Sequence, residues 1–204
     1  MSTTIHLHTG DLPAGLAFPN GVAVDSETLG LKPHRDRLCL VQLSGGDGVA
    51  HLVQIRPGAM PQRLVALLSD PQTLKIFHFA RFDIAVFAKH LKVETNPIYC
   101  TKIASKLART YTDRHGLKDL CAELLSVDLS KQQQSSDWAA TTLSDAQQAY
   151  AASDVLHLHS LKARLDMMLA REGRTALAEA SFGYLPIRAH MDLAGFDDMD
   201  IFSH

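Results

Sequence analysis

The sequence predicts an α/β protein in which a sheet packs against helices. Three observations carry that expectation. Short β-branched or alternating runs fill most of the first half, helical spacing dominates the second, and strand and helix patterns alternate where the two meet.

GVAVDSE (21–27), RLCLVQLS (37–44) and VAHLVQI (49–55) read as strands. Gly45-Gly46-Asp47-Gly48 breaks the last two apart like a hairpin turn, so an antiparallel trio is expected. PQRLVALLSD (61–70) opens on a proline where a helix start tolerates one, and it sets Leu64, Leu67 and Leu68 on one face. LKIFHF (74–79) reads as a buried strand, and Arg81 to Leu91 as a helix with Ile84, Phe87 and Leu91 at steps of three and four. Further helices are expected over 102–111 and 116–125. After the polar stretch SKQQQSSDW (130–138), Ser144 and Gln147 form a capping-box signature for one long helix over roughly 145–171, with Leu158, Leu161, Leu165 and Met168 inward. A last helix starts near Thr175, and Pro186 is expected to end or kink it.

The 204 residues suit one domain, and 46% hydrophobic against 21% charged excludes disordered and fibrous classes. No apolar run approaches the ~18–20 residues of a membrane span, and the amino terminus lacks a secretion-signal layout, so a cytoplasmic protein with no membrane partner is expected. Cys39, Cys100 and Cys121 are odd in number and far apart, giving neither a disulfide framework nor a metal pair. A net charge of −2 argues against holding long duplex through a broad basic field, so any nucleic acid is gripped locally.

Three acidic patterns carry chemistry. Asp25-Ser26-Glu27 ends an apolar strand, where alternation points Asp25 and Glu27 to one face and their repulsion invites Mg2+ or Mn2+. Tyr150 and Asp154, four apart in a helix, share a face. Asp83, in HFARFD, lies early in the helix that follows the LKIFHF strand. Alone, each has an ordinary alternative: a solvated strand end, a buried tyrosine near a surface acid, or a first-turn acid complementing the helix dipole.

In the order D-x-E, then H-x-x-x-x-D opening a helix, then Y-x-x-x-D, these residues resemble the three exonuclease motifs of the DEDD superfamily in its tyrosine-bearing branch. DSETLGL, RLCLVQLS, KIFHFARFD and YAASDVLHL resemble ribonuclease D over most of residues 20–165. Ribonuclease D carries additional helical (HRDC-type) RNA-binding domains for which this length leaves no room, so a single exonuclease domain over 1–204 is expected. HRDRLCLVQLS, CTKIASKLARTYTDRHGLK, KQQQSSDWAA and a tail ending in DIF resemble the nanoRNase C family of small dinucleotide-degrading ribonucleases nearly end to end.

The resemblance implies an RNase H-like (DnaQ-type) exonuclease fold, with a mixed central sheet of about five to six strands flanked by helices. It further implies a homo-octameric ring that uses two divalent cations, Mg2+ or Mn2+. The implied activity is 3′→5′ hydrolysis of short RNA, above all dinucleotides such as pGpG, to nucleoside 5′-monophosphates. Asp25, Glu27 and Asp154 would bind one ion; Asp25 would also touch a second, which Asp83 holds through waters, and Tyr150 would orient the attacking water. Leu31, in D-x-E-x-x-G-L, would wedge between the two bases, against its plain reading as a core leucine.

Selecting a short substrate also needs a group that grips the 5′-phosphate. From the basic block Lys102, Lys106, Arg109, Arg114, His115 and Lys118, Arg109 and Arg114 are singled out because a guanidinium presents two parallel donors. His78 is placed as a substrate contact, with a satisfied half-buried histidine as the alternative. His6 and His8 are read as structural or exposed, since a strand pair of histidines without a third ligand is not a site. The apolar tail over 191–204 is expected to pack on the domain or on a neighbouring subunit. Two other functions stay open: a broader 3′→5′ exonuclease on longer RNA or DNA ends, and an inactive nucleic-acid-binding module.

Overall fold

Six strands form one mixed sheet in the order β1-β4-β3-β2-β5-β6. The structure, a computed structural model, describes residues 3–130, 132–133 and 135–203. The expected antiparallel trio is β2 (Val22–Thr28), β3 (Leu38–Ser44) and β4 (Val49–Gln54). Gly46 and Gly48 take positive φ in the turn between β3 and β4, which a side chain would strain. At Gly46 a Cβ would also run into the His159 ring. The H-x-H segment forms β1 (Thr4–Thr9), an edge strand parallel to β4. On the other side, β5 (Lys75–Phe77) and β6 (Ile98–Cys100) continue the sheet in parallel. The strand β6 was not anticipated, because three residues between Pro97 and a helix carry no period.

The helices cover both faces. The core groups Val24, Val41, Leu43 and Val53 of the sheet with Leu64 and Leu68 of α1 (Gln62–Ser69) and Ala85 and Val86 of α2 (Ala80–His90). A smaller cluster on the opposite face joins Leu40 and Leu52 to Trp138, Leu143 and Ala151. Beyond β6 the chain runs through α3 (Thr101–Ala108) and α4 (Leu117–Leu120) into a π-helical turn (Cys121–Leu125). All three cysteines are free and buried, as expected of small apolar residues.

Two helical expectations are corrected. The long helix over 145–171 is two helices, α5 (Asp145–Leu156) and α6 (Leu158–Arg171), meeting at His157 with φ −103° and ψ −4°. The apolar stripe runs on across this joint, with Leu158, Leu161 and Leu165 buried as expected and Leu169 buried where Met168, half-buried, was expected, so periodicity could not reveal it. The last helix, α7 (Thr175–Leu193), is not ended by Pro186 but passes through it. Proline forfeits only its own N–H bond, and α7 is held along its length by packing on α2, α3 and β6.

Past α7, the tail is drawn back onto the domain by polar contacts. Arg188 donates to the carbonyls of Phe196, Asp197 and Met199, and Lys32 pairs with Asp197 at 2.9 Å. The apolar side chains of Phe196, Met199, Ile201 and Phe202 remain exposed. Among the described residues, no helix is long and apolar enough to cross a membrane.

Candidate active site

The site forms where β2 meets α5. In β2, Asp25 pairs with Gln42 and Glu27 with Leu40, so both acids point to the face that α5 covers. The capping box sets the start of α5: Ser144 Oγ accepts from Gln147 N at 3.3 Å, and Gln147 Oε1 accepts from Ser144 N at 3.0 Å. From that start, the four-residue spacing brings Tyr150 and Asp154 to the sheet side by side. Asp25, Glu27 and Asp154 each offer a carboxylate oxygen, and these atoms lie within 4.8 Å of one another. Gln42 steadies the cluster by donating to Asp25 at 3.4 Å.

Asp83 does not join that triad. It is buried on α2 and accepts a 2.7 Å hydrogen bond from Ser26, whose side chain leaves β2 on the side away from Asp25 and Glu27. The two groups of acid still feel each other. Burial raises the affinity of all four for protons, and charge adds to it: Glu27 is pushed up by Asp25, Asp154 and Asp83, while Asp154 and Asp83 are pushed up by Asp25. Such a cluster is at odds with its own charge, and oxygen donors this close fit a hard divalent cation. Burial, reinforced by Asp154, Glu27 and Asp25, also pushes the Tyr150 phenol up, so it keeps its proton at neutral pH. Its ring lies 6.0 Å from that of Trp138, which is buried against Leu40, Leu52 and Leu143.

Asp25, Glu27, Tyr150 and Asp154 line an open cavity of about 640 Å³ that also takes in Leu31, His78, Phe79, Lys102, Lys118 and Trp138, while Asp83 stays buried behind it. A second cavity of about 620 Å³, between α3, α7 and Phe202, has no acidic lining residue and adjoins the first at Phe79 and Lys102. Leu31 is 85% exposed, which overturns its plain reading as a core leucine. The loop presenting it is held by Asp36, which accepts from Lys32 N at 2.9 Å; a Cβ on Gly30 would collide with that carboxylate. His78 Nδ1 lies 2.9 Å from Thr101 Oγ1, and the Thr101 hydroxyl is already donated to the Phe77 carbonyl. Thr101 must therefore accept, which puts the proton on Nδ1 and leaves Nε2 an acceptor. Burial, with Lys102 adding, lowers the His78 pKa to about 3, so the ring is neutral.

The structure places both arginines singled out for the phosphate away from the acids. Arg109 is fully buried: it donates to Ser105 at 2.9 Å and the Arg114 carbonyl at 2.8 Å, and it pairs with Glu123. Arg114 pairs with Asp119 on the surface at 2.6 Å. Neither lines the acidic cavity. Among the described residues, the lysines that do are Lys102 and Lys118, members of the same basic block, which spacing alone could not rank. Phe79 was also missed. It sits between β5 and α2 at φ 71°, a left-handed backbone costing roughly 1–2 kcal/mol for a non-glycine, and its exposed ring carries Lys102 Nζ at 4.2 Å from its centroid.

Residues 13–170 match the family model described as 3′-5′ exonuclease. Ribonuclease D of Gluconacetobacter diazotrophicus is 37% identical over 153 residues, 75% of this chain and 39% of that protein. The chain thus spans about 40% of the length of the curated ribonuclease D relatives it matches. Among solved structures, Brucella melitensis NrnC with bound Mg2+ is similar at 55% identity and a TM-score of 0.94, covering 99% of this chain and 100% of that one. The same protein bound to pGG gives 57% identity and a TM-score of 0.96, with 100% of each chain covered.

Proposed function

Because the chain belongs to the 3′-5′ exonuclease family, we propose that it is a divalent-metal-dependent exoribonuclease that cuts short RNA, dinucleotides above all, into nucleoside 5′-monophosphates. The observation that carries this reading is the convergence of Asp25, Glu27 and Asp154 oxygens within 4.8 Å in a cavity whose rim holds the exposed Leu31. Full-length similarity to the pGG-bound Brucella nuclease supports the dinucleotide, and similarity to its Mg2+-bound form supports the cation.

In this reading Asp25, Glu27 and Asp154 would hold one cation, while Asp25 would touch a second that Asp83 holds through waters. When bound, the cations supply positive charge that offsets the charge growing on the attacking and departing oxygens. Tyr150, protonated beside Asp154, donates a hydrogen bond that orients the attacking water. Leu31 wedges between the two bases. His78 offers its bare Nε2 to a donor on the substrate, and Lys102 and Lys118 replace Arg109 and Arg114 as partners for the terminal phosphate. The exposed tail residues Phe196, Met199, Ile201 and Phe202 are covered by another copy of the chain in a homo-oligomer. Light scattering on a chain lacking residues 195–204 tests that contact, and an unchanged assembly would remove the tail from it.

The deciding assay is a length series. End-labelled RNAs from dimer to decamer, with Mg2+ or Mn2+, should show dimers consumed far faster than longer chains. Equal stepwise trimming of every length, or of DNA ends, would replace the dinucleotide reading with a broad exonuclease. No hydrolysis with either metal would point to a binding module.

A further inference from the structure

We propose that His6, His8 and His51 form a transition-metal site at the outer edge of the sheet, taking a borderline divalent ion such as Zn2+, Cu2+ or Ni2+. The third ligand that H-x-H lacks in sequence is supplied by β4. β1 and β4 run parallel in register, so His6 lies directly beside His51, and His8, two residues on, shares their face. The His51 ring centroid lies 5.3 Å from those of both His6 and His8, in stacked orientation. His8 Nε2 and His51 Nδ1 stand 3.0 Å apart and share one proton.

A tetrahedral ion with N–metal bonds of about 2.0–2.1 Å holds two ligand nitrogens ~3.3 Å apart. For a metal to take the place of that proton, the donating ring must carry its proton on its other nitrogen, so binding asks for a tautomer change, a slight opening and a turn of each ring. The His6 nitrogens do not lie within 4.8 Å of both partners as the rings stand, so His6, which is exposed, would complete the set by rotating toward the pair. Burial, then the neighbouring imidazoles, hold His8 and His51 below the ordinary histidine range, so both are neutral ligands at neutral pH. Imidazole donors favour these ions over Mg2+, which prefers oxygen.

The site is separate from the carboxylates. Asp25 pairs with Gln42, Gln42 with Leu52, and Leu52 with Leu7, whereas His51 pairs with Leu43 and His6 in the next row. Neighbouring rows face opposite ways, so the imidazoles lie on the other side of the sheet from Asp25 and Glu27, two and three strands away. A metal there would clip the edge strand β1 to β4.

The test titrates ZnCl2 calorimetrically into the chain carrying Asp25→Asn, Glu27→Gln and Asp154→Asn, so that the carboxylate cluster does not compete. One equivalent should bind, and adding His8→Gln or His51→Gln should weaken it at least about tenfold, with a smaller loss for His6→Gln. No uptake by the parent, or equal affinity in the His8→Gln and His51→Gln chains, would overturn the site. Should those variants fail to fold, ring-nitrogen NMR of the parent decides: Zn2+ must move the His6, His8 and His51 signals while His190 stays unmoved.

Discussion

The Ser26 hydroxyl donates a 2.7 Å hydrogen bond to Asp83, tying the middle residue of the D-x-E strand to the acid on α2. It is the direct link between two motifs that are 57 residues apart. Ser26→Ala would leave a buried carboxylate oxygen without that donor, at a cost of about 1–3 kcal/mol. Urea melts should show that loss, and kcat should fall about tenfold with a higher Mg2+ requirement, partly rescued by Ser26→Thr. Lost stability with an unchanged Mg2+ requirement would make the bond purely structural.

Tyr150 keeps its proton because burial and three nearby carboxylates oppose its ionisation. As a donor it is dispensable in a way the ligands are not. Tyr150→Phe should lower kcat about 10- to 100-fold, against more than about 1000-fold for Asp25→Ala or Asp154→Asn. If the phenylalanine variant falls as far while calorimetry shows intact metal binding, the phenol is a proton acceptor.

Asp25, Glu27, Asp83 and Asp154 all hold protons more tightly when folded than carboxyls do in the unfolded chain. Stability from that source is complete below the ordinary carboxylate pKa of about 4 and is lost as pH rises through the elevated values. Metal-free protein should therefore lose Tm from acidic into neutral pH, relative to Asp25→Asn/Asp154→Asn, and Mg2+ should restore most at the upper end. Scanning fluorimetry with EDTA or Mg2+ checks this. Parallel Tm curves for the two chains without metal would mean the acids are not strained.

Arg109 holds Ser105, the Arg114 carbonyl and Glu123 from a fully buried position. Arg109→Ala should cost about 3 kcal/mol, the low end for a broken buried pair, since Glu123 is half-exposed and can be rehydrated. Arg114→Ala, which breaks an exposed pair, should cost under about 1 kcal/mol. Equal melting losses for the two variants would contradict the burial difference.

Leu31 is 85% exposed, so truncating it removes little packing. Leu31→Ala should leave Tm within about 1–2 °C of the parent, because surface changes rarely exceed ±0.5 kcal/mol. The KM for a dinucleotide should rise severalfold, with less change for a longer RNA. An unaltered KM would remove Leu31 from the substrate.

Much of the site was legible because it rests on short-range periods. Alternation along β2 aligned Asp25 with Glu27, the helical repeat aligned Tyr150 with Asp154, and the Ser144–Gln147 box marked where that helix begins. The hairpin glycines and the antiparallel trio were legible for the same reason: each is decided by neighbours in the chain. The joint at His157 was not, because an unbroken apolar stripe looks alike in one helix or two. Nor was β6, whose three residues are a strand only because β5 lies beside them.

Residue types and their local spacing were thus enough to nominate the acids, the phenol and the family they suggest. Which cation faces the cavity was a different kind of question. Arg109 and Lys102 stand seven positions apart in one basic block, yet Arg109 turns inward to Glu123 while Lys102 lines the site. The same holds for His51 beside His8, and for Ser26 beneath Asp83. Each depends on a partner 14 to 57 residues distant, and the energy of burying a charge or sharing a proton exists only once the packed fold has excluded water and brought that partner into reach.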